Sequence, residues 1–103
     1  MRVMLKVSIP VAEGNTAAKK GTLGETIQAI LGELKPEAAY FAEYGGKRTG
    51  FVFVNIEEPS QIPAVSEPFF LAFNAEVEFH PAMNADDLMK AGPAIERAAK
   101  KYG

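Results

Sequence analysis

Val3, Leu5, Val7 and Ile9 alternate with Arg2, Met4, Lys6 and Ser8 at the start of the chain. A period of two predicts a strand with one buried face, and Pro10, which has no amide to give a ladder, ends it. Residues 12–21 contain Gly14, Asn15, Lys19, Lys20 and Gly21, which predicts a loop or one short helical turn. Thr22-Leu23-Gly24-Glu25 has the spacing of a capping box. Leu23, Ile27, Ile30, Leu31 and Leu34 then recur at helical intervals, up to a stop at Pro36. Residues 37–44 and 49–56 predict two strands joined by a hairpin loop over Gly45–Arg48. Glu57 to Ser60 predicts a turn, with Ser60 capping a helix that carries Ile62, Val65, Phe69, Phe70 and Phe73 and is kinked or split at Pro68. Residues 75–83 predict a fourth strand. Asn84 then caps a terminal helix with Leu88, Ala91, Ile95, Ala98 and Tyr102 on one face, and Gly92-Pro93 breaks it in two.

The element order is βαββαβ plus a C-terminal helix. Two βαβ halves joined by a hairpin make the split arrangement of a ferredoxin-like domain, here one α+β domain over residues 1–103. The expectation is an antiparallel sheet with helices on one face. A loop over Gly45–Arg48 sets Tyr44 opposite Thr49, Ala42 opposite Phe51 and Tyr40 opposite Phe53. The helix-covered face then takes Val3, Leu5, Val7, Ala39, Phe41, Val52, Val54, Ile56, Val77 and Phe79. The other face collects Met4, Lys6, Ser8, Tyr40, Tyr44, Phe51, Phe53, Asn55, Glu76, Glu78 and His80. Paired phenylalanines flanked by tyrosines exceed scattered surface apolar residues, so this face is expected to be covered, first of all by a second copy of the chain.

Composition narrows the function. The 103 residues include no cysteine and one histidine, which excludes disulfides, thiolate chemistry and any multi-histidine metal centre within one chain. A formal charge of −2 and a pI near 5.4 argue against nucleic-acid binding. Lys47, Gly50, Phe51 and Val52 fit the aromatic strand motif of RNA-recognition domains, but Arg48, Thr49 and Val54 do not, and the stacking platform is incomplete. No apolar run is long enough to span a bilayer. Lys6 interrupts the first hydrophobic segment, so the N-terminus predicts a mature strand of a cytoplasmic protein rather than a secretion signal.

Element order, length and the aromatic open face resemble the dimeric α/β-barrel superfamily. The resemblance covers nearly the whole chain. It implies two ferredoxin-like chains packed sheet to sheet, with small ligands held between sheet and helices. Members of that superfamily include cofactor-independent monooxygenases, haem-degrading enzymes and small isomerases and lyases.

The strongest polar constellation is Glu76-x-Glu78-x-His80, whose alternation puts all three on one strand face beside Lys6. A carboxylate next to an imidazole orients a general base. The plainer explanation is that charges on an edge strand discourage sheet-to-sheet aggregation. Lys19-Lys20-Gly21-Thr22 sets two cations before a helix start, where an anion or only solvent could sit.

Three functions follow as expectations. The first is a homodimeric small-molecule-binding protein with Lys6, Tyr40, Phe51 and Phe53 at its ligand site. The second is a cofactor-independent monooxygenase or isomerase-like enzyme. There His80 is the base, Glu78 orients it, and Lys6 or Tyr40 stabilises a developing anion. The third is a dimerisation module without a pocket. No cofactor and no metal is expected in any of them.

Overall fold

The computed structural model describes all 103 residues. Strand β1 (Arg2–Ile9) is followed by helices α1 (Val11–Lys20) and α2 (Leu23–Leu34). The hairpin β2 (Ala38–Tyr44) and β3 (Lys47–Asn55) comes next. A short 3-10 turn (Pro59–Gln61) leads into α3 (Ile62–Phe73), then β4 (Glu76–Pro81), α4 (Ala85–Lys90) and α5 (Gly92–Tyr102). The four strands form one open sheet in the order β2-β3-β1-β4, antiparallel at every junction. This mixed α+β architecture is compatible with a ferredoxin-like fold. No helix is long and apolar enough to cross a membrane.

The period of two in β1 does what it predicts: Val3, Leu5, Val7 and Ile9 are buried and the residues between them are not. Val52, Val54 and Ile56 join them from β3 and its end. Ile30 of α2 and Val65, Phe69 and Phe73 of α3 close the core from the helical side. Leu5 is fully enclosed, at 0 % exposure.

Several local expectations are corrected. Most of the loop expected at residues 12–21 belongs to the ten-residue helix Val11–Lys20, with Gly21 as its left-handed cap. Its alanines favour helix, Glu13 and the pair Lys19–Lys20 suit the two ends of its dipole, and Ala17 packs on the core. Lys19 and Lys20 therefore belong to a helix C-terminus. Thr22 does not cap α2 with its side chain. Its hydroxyl lies 3.4 Å from the Ala17 carbonyl, to which its amide donates at 3.0 Å, so the chain turns out of α1 directly into α2. The turn before α3 is closed by Gln61 rather than Ser60: Gln61 Oε1 accepts the amides of Glu57 and Glu58 at 2.6 and 3.0 Å. Helix α3 runs through Pro68 without splitting, with Val65 and Phe69 on either side of it held in the core. Asn84 does cap α4: its Oδ1 accepts the Asp87 amide at 2.8 Å, and Asp87 Oδ2 accepts the Asn84 amide at 3.0 Å.

The hairpin is tighter than expected. Only Gly45 and Gly46 form the loop, at φ 61° and 80°, the positive-φ pair of a type I′ turn. Tyr44 thus pairs with Lys47, Ala42 with Thr49 and Tyr40 with Phe51. The register differs from the expected one by two residues, an even number, so every side chain keeps its face.

Candidate functional site

The open face is organised in rows across the sheet. One row runs Tyr40, Phe51, Lys6, Glu78, and the next runs Ala38, Phe53, Met4, His80. Tyr40 is 66 % exposed. His80 Nε2 lies 3.1 Å from Glu78 Oε1, and the other carboxylate oxygen is 3.5 Å from Lys6 Nζ. That ammonium stands over the Tyr44 ring, 3.9 Å from its centroid. Tyr44 in turn meets Phe51 edge to face at 6.1 Å. A continuous line of contacts therefore crosses the sheet from His80 to Phe51. The hydrogen bond from His80, and then the charge of Lys6, hold the Glu78 carboxyl below its ordinary range. Lys6, Glu78 and His80 come together as the alternation required, while Glu76 faces Ser8 and enters neither ion pair. No three His, Cys, Asp or Glu side chains converge as metal ligands do.

A second site lies on the opposite face. A cleft of about 630 Å³ opens between sheet and helices at the hairpin end. Val7, Ile9 and Val52 line it from the sheet, and Ile27, Phe69 and Phe73 from the helices. Phe41, expected in the core, is 54 % exposed and forms a wall of this cleft. From Tyr40 to Tyr44 every residue of β2 is exposed, so neither face of this end of the strand is covered. The ring of Phe41 leans across Gly50, where a Cβ would stand only 3.0 Å away.

The polar groups of the cleft include Asn15 of α1 and Arg48 and Glu43 of the hairpin. Arg48 lies over Gly14, whose missing side chain makes room for it: a Cβ there would sit 2.8 Å from Arg48 Nη1. That nitrogen donates to Asn15 Oδ1 at 3.0 Å. Arg48 has no carboxylate partner. Glu43, opposite it across the strands, instead accepts the Gly46 amide at 2.9 Å. A guanidinium fixed at the rim of an apolar cleft can take a carboxylate or another planar anion through its remaining donors.

The ligand residues expected from the sequence, Lys6, Tyr40, Phe51 and Phe53, belong to the open face, and Arg48, Asn15 and Phe41 of the cleft are not among them. Two signals bear on the cleft. An isolated glycine within a strand, here Gly50, marks a close approach. Phe41 shares the parity of the core residues, but nothing local says that this end of β2 is uncovered. No protein-family model and no curated protein matches this sequence.

Proposed function

We propose that this protein is a small-molecule-binding protein of ferredoxin-like topology, acting as a homodimer assembled through the open face, and that its ligand is a small organic acid. The observation that carries the ligand reading is the pairing of the apolar cleft with Arg48, which forms no ion pair, its cross-strand neighbour Glu43 accepting the Gly46 amide instead. A volume of about 630 Å³ lies within the usual range for ligand pockets, about 300–1,000 Å³. The apolar body of the ligand would lie against Phe41, Phe69 and Val52, with its anionic group on Arg48. The exposed Tyr40 and Tyr44, beside half-buried Phe51 and Phe53, support the dimer reading.

Calorimetric titration with octanoate tests the ligand, with octanol as the uncharged control. Octanoate is expected to bind, and Arg48→Met to weaken it more than tenfold while leaving octanol unchanged. Equal binding of octanoate to both proteins, or none to either, overturns the ligand reading.

A second reading rests on the 3.1 Å contact between His80 and Glu78, with Lys6 beside them. Once covered by a partner, this group has the parts for acid–base catalysis at His80. His80→Ala separates the two readings: it abolishes turnover if His80 is the base, and leaves octanoate binding intact if the protein only binds.

A further inference from the structure

The C-terminal segment does not pack on the rest of its own chain. All residues from Pro93 to Gly103 are exposed. The radius of gyration is 16.9 Å and the long dimension 57 Å, against a radius of about 13 Å for a compact domain of this size. Yet α5 is built to pack. Leu88, Ala91, Ile95, Ala98 and Tyr102 follow one another at intervals of three and four along α4 and α5, the spacing of a buried helical seam. Ile95 is 56 % and Tyr102 79 % exposed. An isolated eleven-residue helix is marginal in water and needs a surface to rest on.

The root of this arm is held in place. Arg2 Nε donates to both oxygens of Glu37, at 3.0 and 2.9 Å, and Arg2 Nη1 reaches Asp87 Oδ2 at 3.2 Å. Arg2 alternates in step with Met4 and Lys6, so this tie joins α4 to the end of the sheet on its open side. The chain thus presents an uncovered amphipathic helix and an uncovered aromatic sheet face, and does not bring them together.

We infer that the arm of each copy lies on the open sheet face of a second copy, in a reciprocal exchange about a two-fold axis. The inference rests on the homodimer reading above and specifies what makes the contact. Charge favours this occupant over a pairing of two arms. Residues 92–103 carry three bases (Arg97, Lys100, Lys101) against one acid (Glu96), so two arms repel. Residues 1–83 carry ten acids against seven bases. On the open face the bases Lys6 and Lys47 lie on β1 and β3, while the β4 edge carries the exposed acids Glu76 and Glu78 and no lysine or arginine, so the basic end of the arm suits that edge. Dimensions agree as well. Eleven helical residues span about 16 Å, and a sheet of four strands is about 14 Å wide. The Ile95–Tyr102 stripe would rest on Tyr40, Phe51 and Phe53, with the lysines towards Glu76 and Glu78.

The test uses full-length protein. Equal amounts of unlabelled and ¹⁵N-labelled chain are mixed, equilibrated and treated with an amine cross-linker. Mixed-isotope cross-links from Lys100 or Lys101 to Lys47 or Lys6 are expected. The variant Ile95→Glu/Tyr102→Glu is expected to raise the dimer dissociation constant at least tenfold in sedimentation, with the melting temperature of the separated chain unchanged. Should Phe53→Asp separate the copies while the arm variant stays dimeric and cross-links join only like isotopes, the arm exchange is overturned and the dimer stands. Unaltered protein that sediments as a monomer overturns both.

Discussion

The ring of Phe41 lies across Gly50, so close that a Cβ at Gly50 would stand 3.0 Å from Phe41 Cε1. The two residues are cross-strand partners, and the missing side chain of one lets the other wall the cleft. Gly50→Ala is expected to push Phe41 outward and weaken octanoate binding several-fold. The global unfolding free energy should change by no more than about 1 kcal/mol, because alanine is accepted by an extended backbone. Parallel calorimetry and urea denaturation check both halves of this expectation.

The hairpin depends on its two glycines. Gly46 sits at φ 80°, where any other residue meets steric resistance. Gly46→Ala is expected to cost about 1–2 kcal/mol, read as a lower urea midpoint at unchanged slope. The same substitution at Gly32, an exposed α2 position with open space around its Cα and no positive φ, should stabilise by up to about 1 kcal/mol.

Leu5 is fully enclosed between β3, β4 and the helices. Leu5→Ala is expected to lose about 2–5 kcal/mol, enough to unfold a large share of the molecules of a marginally stable domain. The matching truncation on the other side of β1, Met4→Ala, should cost clearly less in a dissociated chain. Chemical denaturation at low protein concentration distinguishes them.

Two carboxyls give the stability a pH dependence. The Asn84 amide, then the Arg2 guanidinium, hold the Asp87 carboxyl low, and His80 and Lys6 do the same for Glu78. A carboxyl lowered on folding binds its proton less readily in the folded chain than in the unfolded one. Its stabilisation is complete above the ordinary carboxylate range and is lost as pH falls through that range towards the lowered value. Thermal melts should therefore be level near neutrality and drop on the acid side. Asp87→Asn combined with Glu78→Gln should make that drop shallower; an unchanged acid limb would show that neither group contributes.

Which residues share a face of the sheet is written in the alternation along each strand. Strand side chains repeat every two residues, so Lys6, Glu78 and His80 had to lie together, and so did Tyr40, Phe51 and Phe53. A hairpin four residues long in expectation and two in fact left those faces unchanged, because the error was even. The cap at Asn84 and the break at Gly92-Pro93 were legible too, whereas the caps expected at Thr22 and Ser60 were not, because the chain enters α2 directly from α1 and Gln61 closes the turn before α3. What each face meets is set by long-range packing. It made residues 11–20 a helix that packs Ala17 on the core and sets Asn15 beside Arg48. It left Phe41 uncovered and so opened the cleft. It tied α4 to Arg2 and left the apolar stripe of α5 without a surface in its own chain. These depend on contacts between residues far apart in sequence, and no local period records them.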